Sequence, residues 1–391
     1  MEVTKPSGTM RRHEERDLAF GRLFGCVALG RSGRLAAAAA GPGPAEDLCV
    51  RAVGALLPLY VRRRWMRQAA VEALLLVAGQ MRRGALVARA VPMLLPLLAP
   101  DTGGKGTGAA AAAGAGDYGD EEEKGNRADE DVATADGGHN GVVNGGPVEV
   151  AKVSELTPDQ LMLALGLQRL LSASVDDDAL PEDFPKLLRK RILRPGKLEV
   201  IFDPLVASAA AFPRVHGVWT ETWRQLGMAA GAAAQTGAAA ATVPAPVRAA
   251  ALGEAEVRVL RELWEGAVDE RLANGSHNTK GLAILLLQQV LPLVPPDCVD
   301  VVISPSVMRV LMNHTARPDA TLRSMASACL ERLPDLTADN AAARAAAVAA
   351  LMARGSAVGG GGGGAGAFVG AKLMTSLAGG MDEVLFWVAL A

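Results

Sequence analysis

The feature that most constrains this chain is an apolar periodicity typical of α-helices. Residues 254–272 show it most clearly, with one apolar stripe formed by Val257, Leu260, Trp264, Val268 and Leu272. Oppositely charged residues pair at i,i+4 outside the stripe, as in Glu254/Arg258, Arg258/Glu262 and Arg261/Glu265. The pattern predicts an amphipathic helix that packs on one face and meets water on the other.

Composition extends this prediction to the whole chain. Half of the 391 residues are hydrophobic but only 4% are aromatic, and strand-like alternation is scarce, so an all-α fold is expected. A largely apolar helix over 276–294 follows the amphipathic one, which suggests helices stacked between neighbours. Because no fixed-period repeat is visible, we expect an irregular α-solenoid of HEAT/armadillo-like helix pairs, with disordered Gly/Ala-rich and acidic insertions.

Low-complexity stretches divide this periodic pattern into segments. Stretches rich in Gly, Ala or acidic residues bury too little apolar surface to offset the entropy of ordering. The predicted organisation is helical repeats over 1–99, a disordered acidic Gly/Ala-rich insertion over 100–153, helical repeats over 154–228, an Ala-rich linker over 229–250, helical repeats over 251–354, and a Gly-rich linker with a C-terminal apolar segment over 355–391.

The net charge of −2 conceals a local asymmetry. Residues 1–99 carry fifteen Lys and Arg against seven Asp and Glu, whereas residues 100–150 carry three against eleven. The start of the chain is polar, and no apolar window of 18 residues lacks a charge, so neither a secretory signal nor a membrane span is predicted. Four widely spaced cysteines in apolar context are expected to be buried, reduced thiols, as in a nuclear or cytosolic protein: Cys26, Cys49, Cys298 and Cys329.

Several helix ends can be located from local signals. Thr157, Pro158 and Gln160 form a capping-box pattern, and Ser304 followed by Pro305 begins a helix in the same way.

The stretch 15–35 contains glycines at 21, 25, 30 and 33. A phosphate loop is disfavoured because no strand precedes it and no GxGxxG or GK[ST] pattern occurs. The arginines within the stretch disfavour membrane insertion. We therefore expect the glycines to let a neighbouring helix approach, with Gly33 ending the helix.

The same stretch, "ERDLAFGRLFGCVALGRSGRL", resembles the opening signature of the DNA polymerase V family, also called DNA polymerase phi or Myb-binding protein 1A-like. Further segments agree in the same order along the chain: "RRRWMRQAAVEALLLV" (62–77), "LTPDQLMLALGLQ" (156–168), "FPRVHGVWTETWRQL" (212–226), "LWEGAVDERLANGSHNTKGLAILLLQQVLPLVP" (263–295) and "VVISPSVMRVLMNHTARPDATLRSMASACL" (301–330).

This resemblance implies a nuclear, nucleolar helical-repeat protein that supports transcription of ribosomal RNA genes and ribosome biogenesis. Its implied partners are ribosomal DNA or pre-ribosomal RNA, through phosphate contacts without base specificity, and transcription factors or ribosome-assembly proteins. Because such proteins carry a long remainder with a basic tail, we expect this sequence to correspond to the N-terminal portion. The alternatives are a template-dependent DNA polymerase, suggested by the family name, and a cytoplasmic transport or adaptor solenoid.

The sequence contains no recognisable catalytic or metal-binding motif. Its densest acidic runs (120–123, 129–131 and 176–178) fall in low-complexity or loop sequence, unlike the rigid carboxylate scaffold that nucleotidyl transfer needs. The five histidines are isolated, and we expect His216 and His277 to cap or pack locally. We therefore expect a protein that is not an enzyme and has no cofactor.

Two basic clusters are the candidate nucleic-acid contacts. In the first, we expect Lys186, Lys190 and Arg194 to share one helical face, with Arg189, Arg191 and Lys197 nearby. The second surrounds Trp65 and consists of Arg62, Arg63, Arg64 and Arg67. Each cluster is open to three interpretations, namely a solvated face, phosphate contacts or a nuclear-import signal.

Overall fold

The computed structural model describes residues 8–33, 44–100, 150–172, 180, 184–228, 252–316 and 322–338, with isolated residues between 341 and 377. Every regular element in these ranges is helical, which confirms the all-α prediction. The α-helices described are α1 (Gly8–Arg31), α2 (Pro44–Arg62), α3 (Arg67–Ala78), α4 (Arg83–Ala85), α5 (Val91–Leu94), α6 (Pro158–Ser172), α7 (Lys186–Arg189), α8 (Glu199–Ala207), α9 (Gly217–Gln225), α10 (Glu254–Leu263), α11 (His277–Val290), α12 (Val299–Val302), α13 (Pro305–Ala316) and α14 (Arg323–Leu336).

Short 3₁₀ and π helices lie between or extend these elements. The 3₁₀ turns are Arg64–Met66, Leu95–Leu98, Val153–Glu155, Ser208–Ala211 and Pro296–Cys298, and the π-helices are Leu86–Ala90 and Trp264–Leu272.

The helix predicted over 254–272 is therefore α-helical to Leu263 and π-helical from Trp264. In the π-helical part, the Phe202 ring lies against Gly266, where a Cβ atom would stand 2.3 Å from a ring carbon. The Glu254/Arg258 ion pair forms at 2.6 Å, whereas Glu262 binds a backbone amide elsewhere.

Helices that follow one another along the chain pack against one another. Helix α3 contacts α1, α2 and α6, α6 in turn contacts α7, α8 and α9, and α11 contacts α13 and α14. This succession of neighbours is consistent with a helical-repeat solenoid. Helix α6 lies deepest, since all residues from Gln160 to Gln168 are buried, as expected of a helix surrounded by others.

The helix starts predicted from local signals are confirmed. Gln160 accepts a hydrogen bond from the Thr157 amide at 2.9 Å, and Thr157 Oγ1 accepts one from the Gln160 amide at 3.3 Å. Ser304 Oγ caps α13 by accepting from the Val307 amide. His216 Nδ1 accepts from the Val218 amide at the start of α9, and the ring of His277 packs against Phe212.

The glycines of α1 behave differently from one another. Gly33 has φ 64° just beyond the helix, so its predicted role as the stop is confirmed. Gly30 is a true close approach, because a Cβ atom there would lie 2.7 Å from Leu76 Cγ. The same expectation is wrong for Gly21 and Gly25, which are exposed and have no atom within 4 Å of a Cβ position. The contact comes only where α1 passes α3.

The four cysteines are buried and none forms a disulfide, as predicted. Burial raises the pKa of the Cys329 thiol to about 11, which keeps it protonated. No helix in the described ranges combines the length and apolar character needed to cross a membrane. Three predicted low-complexity segments lie almost wholly outside the described residues: the insertion as far as residue 149 and the linkers over 229–250 and 355–391. From Val150 onward the chain packs on the helices. The Ala151 amide, for example, donates a hydrogen bond to the Leu98 carbonyl at 2.9 Å.

We expect Gly30→Ala and Gly25→Ala to change stability in opposite directions. A methyl at position 30 collides with Leu76, so unfolding free energy should fall by about 1–3 kcal/mol. A methyl at position 25 meets open space in an exposed helix and should add about 0.5–1 kcal/mol. Urea denaturation monitored by circular dichroism measures both. Equal effects of the two substitutions would contradict the packing of α1 on α3.

Candidate nucleic-acid interface

The basic segment 186–197 is mostly irregular rather than helical. Helix α7 spans only Lys186–Arg189, and Lys190 is extended with φ −110° and ψ 125°. A turn follows at Pro195 and Gly196, where Gly196 has φ +73°. The prediction that Lys186, Lys190 and Arg194 share one helical face is therefore wrong.

A buried glutamine of α6 explains why the helix stops. Gln168 Nε2 donates to the carbonyls of Leu187 and Lys190, each at 2.6 Å, and Gln168 Oε1 accepts from the Ile192 amide at 3.1 Å. In a continued helix, those two carbonyls would accept from amides four residues ahead. The Gln168 side chain replaces these bonds, and it holds the segment in an irregular conformation against α6.

The basic side chains nevertheless converge, because this conformation gathers them around one open pocket of about 630 Å³. Five of the predicted residues line it: Lys186, Lys190, Arg191, Arg194 and Lys197. Lys152 adds a sixth cation, which was not predicted from the sequence. It immediately precedes the 3₁₀ turn Val153–Glu155, far from the basic segment in the chain. Arg189 is exposed but does not line the pocket. We call these six residues the basic pocket.

Few acidic groups neutralise the basic pocket. Arg191 Nη1 lies 3.4 Å from Glu256 Oε1, and Lys152 Nζ lies 3.8 Å from Glu155 Oε1. Both ion pairs are at the surface. The other four cations have no ion-pair partner among the described residues. Glu262, a further nearby acid, accepts two hydrogen bonds from the Gly196 amide at 2.7 and 3.0 Å and thus holds the turn. Four cations that have no ion-pair partner in the described part of the chain surround one concavity, and they favour an anionic ligand.

The cluster around Trp65 lies elsewhere, where α2 ends and α3 begins. Arg63 pairs with Glu15 of α1 at 3.4 Å. Arg67 donates to the Tyr60 carbonyl and lies over the Tyr60 ring, with its guanidinium carbon 5.3 Å from the ring centroid. Arg62 and Arg64 are exposed. The structure does not bring this cluster into the basic pocket.

One acidic group outside both clusters is strongly perturbed. Burial raises the pKa of Asp269 to about 6, and the neighbouring Glu265 also contributes to the increase. Asp269 accepts a hydrogen bond at 2.5 Å from Ser304, the residue that caps α13. This contact ties the π-helix to the start of α13. Among the described side chains, no group of three or more His, Cys, Asp or Glu residues is placed to hold a metal ion.

The fold and this site together define an all-helical protein with a concave basic surface. Comparison with known families identifies it further, because the family model described as DNA polymerase phi matches residues 1–105 and 149–358. The match covers most of the chain, so this protein belongs to the DNA polymerase phi family. No curated protein and no solved structure matches it significantly.

We expect Gln168→Met to loosen the basic segment while keeping the core filled. The substitution removes the amide and leaves two carbonyls and one amide of the segment without partners, so unfolding free energy should fall by about 1–3 kcal/mol. Hydrogen exchange at Ile192 should accelerate more than exchange within α6. Gln68→Met is the control, since Gln68 bonds to Glu72 at the surface. Unchanged exchange at Ile192 would contradict the anchoring role.

Proposed function

We propose that this protein is a non-enzymatic nucleolar scaffold that binds ribosomal DNA or pre-ribosomal RNA and thereby supports ribosomal RNA transcription and ribosome biogenesis. The basic pocket contacts backbone phosphates without reading base sequence. The helical surfaces around it hold transcription factors or ribosome-assembly proteins. Membership of the DNA polymerase phi family supports the proposal at the level of the family name.

The observation that carries the proposal is the convergence of six cations from two separate segments on one open pocket. Lysines supply four of them, and a lysine ammonium acts on phosphate as a mobile point charge without fixed geometry. Such contacts release counterions and depend on salt rather than on sequence. An open concavity of this kind suits a nucleic-acid backbone better than an enclosed small molecule.

Nuclear import is a weaker explanation of the same residues. An import signal acts as an extended peptide, whereas the segment 187–192 is fixed to α6 by three hydrogen bonds of Gln168. The anchored conformation favours a preformed binding surface.

We expect the basic pocket to determine the salt dependence of nucleic-acid binding. The variant combines Lys186→Ala, Lys190→Ala and Lys197→Ala, three exposed residues whose truncation leaves the core intact. The slope of log affinity against log salt should fall by roughly 0.9 for each lost contact with a duplex phosphate. Fluorescence anisotropy with a ribosomal DNA duplex and a ribosomal RNA of the same length measures the slope between about 50 and 200 mM salt.

The control variant removes equal charge away from the pocket. It combines Arg82→Ala, Arg214→Ala and Arg332→Ala, which are exposed and do not line the basic pocket. Its slope should stay near that of the unmodified protein. Equal slopes in all three proteins, or no binding at low salt, would refute phosphate contacts at the pocket.

We also expect the full-length tagged protein to concentrate in the nucleolus. Binding to ribosomal DNA or nascent ribosomal RNA retains a nuclear protein where those ligands are abundant. Fluorescence microscopy with a nucleolar marker, combined with recovery after photobleaching, measures the enrichment and the residence time. The triple lysine variant should exchange faster than the triple arginine control. A diffuse or cytoplasmic distribution of the unmodified protein would favour a transport or adaptor role.

A further inference from the structure

Two exposed aromatic rings, Phe24 and Trp65, flank the half-buried ring of Phe20 where α1 meets the junction of α2 and α3. The rings of Phe20 and Phe24 are stacked with centroids 5.9 Å apart and planes 14° from parallel. The Trp65 ring packs against the Phe20 ring, with the two ring centroids 5.4 Å apart. Phe24 and Trp65 remain 63% and 59% exposed. We call these three residues the aromatic surface.

The exposure of Trp65 is unusual among the tryptophans that the structure describes. Aromatic residues make up only 4% of the chain, and the other tryptophans in its described part, Trp219, Trp223 and Trp264, are almost completely buried. Leaving adjacent rings in water forgoes about 25 cal/mol for each Å² of apolar area. An exposed apolar cluster of this kind on a helical protein marks a contact surface.

Three exposed arginines lie close to the aromatic surface in the sequence. Arg16 precedes Phe20 by four residues and Phe24 by eight, so the helical period puts all three on one stripe of α1. Arg62 and Arg64 are exposed on either side of Trp65 in the chain. None of these three arginines has an ion-pair partner among the described residues, whereas Arg63 is paired with Glu15.

These observations favour an unpaired nucleic-acid strand as the ligand. Phe24 and Trp65 each leave more than half of their surface in water, which makes them accessible for a splayed base to stack on. Guanidinium groups bind phosphate bidentately and also stack on bases. Inside a duplex the neighbouring base pairs cover both faces of each base, so a duplex offers only its terminal pairs to the aromatic surface.

We propose that the aromatic surface formed by Phe20, Phe24 and Trp65 binds single-stranded nucleic acid by base stacking, with Arg16, Arg62 and Arg64 holding the phosphates. This inference rests on the proposed function in taking nucleic acid as the ligand. It adds a second contact, which is independent of the basic pocket and selects unpaired strands over duplexes. Because every base has a flat face, the selection does not depend on sequence.

The test compares Trp65→Leu with the unmodified protein on an unstructured 15-nucleotide RNA and on a duplex of the same sequence. Loss of stacking on one base costs about 1–3 kcal/mol, so single-strand affinity should fall by roughly 5- to 150-fold. The salt slope should not change, because no charge is removed. Duplex affinity should also stay the same. Trp65→Phe should restore most of the single-strand affinity.

Two further measurements distinguish stacking from general apolar contact. Val61→Ala truncates a non-aromatic side chain that is 59% exposed near the same helix end, and it should leave binding unchanged. Single-stranded RNA should quench the emission of Trp65, obtained as the difference between the unmodified protein and Trp65→Phe. Circular dichroism confirms that each variant is folded.

The outcomes separate this inference from the proposed function. If duplex and single strand both bind with a steep salt slope but Trp65→Leu has no effect, the stacking inference fails and the phosphate pocket stands. If Trp65→Leu weakens duplex and single strand equally, stacking on unpaired bases is refuted. If Val61→Ala weakens single-strand binding as much as Trp65→Leu does, the surface makes general apolar contacts and base stacking is refuted. If neither nucleic acid binds at low salt, both proposals fail.

Discussion

Two buried glutamine side chains of α6 determine how the irregular parts of this helical protein are held. Gln160 Nε2 donates to the carbonyls of Leu97 and Ala99, where the first helical block ends. Gln168 binds three backbone groups of the basic segment. An irregular segment packed on a buried helix needs partners for its polar backbone groups, since an unpaired one costs about 1–3 kcal/mol. The two amides supply those partners, so the basic pocket exists because Gln168 lies beneath it.

Features that depend on a few neighbouring residues were predictable from the sequence. The caps at Thr157 and Ser304 and the stop at Gly33 follow from local hydrogen bonding and from the left-handed freedom of glycine. Most of the stripe predicted over 254–272 also follows from helical spacing, since Leu260, Trp264, Val268 and Leu272 are buried, whereas Val257 is half-buried. Each prediction required only the chain within one or two turns.

Features that depend on distant residues were not predictable in the same way. The helix expected across Lys186 and Arg194 is interrupted because Gln168, about twenty residues earlier, takes its carbonyls. Lys152 joins the basic pocket only through the packing of a separate segment. Gly25 and Gly30 look alike in the sequence, yet only Gly30 passes close to α3. The polar glutamine within an otherwise apolar helix was the available signal, because a buried amide requires partners.

The anchor of the basic segment is a neutral amide, so it does not reduce the positive potential of the segment. A carboxylate in the place of Gln168 would hold the Ile192 amide but would lower the positive potential above it, whereas a neutral amide leaves that potential intact. Two described acids near the pocket have other partners: Glu262 accepts from the Gly196 amide, and Glu256 pairs with Arg191. Four cations without an ion-pair partner in the described ranges therefore surround a backbone that is already fixed. A ligand that meets this surface loses little entropy in ordering it, and its phosphates meet cations that have no ion-pair partner among the described residues.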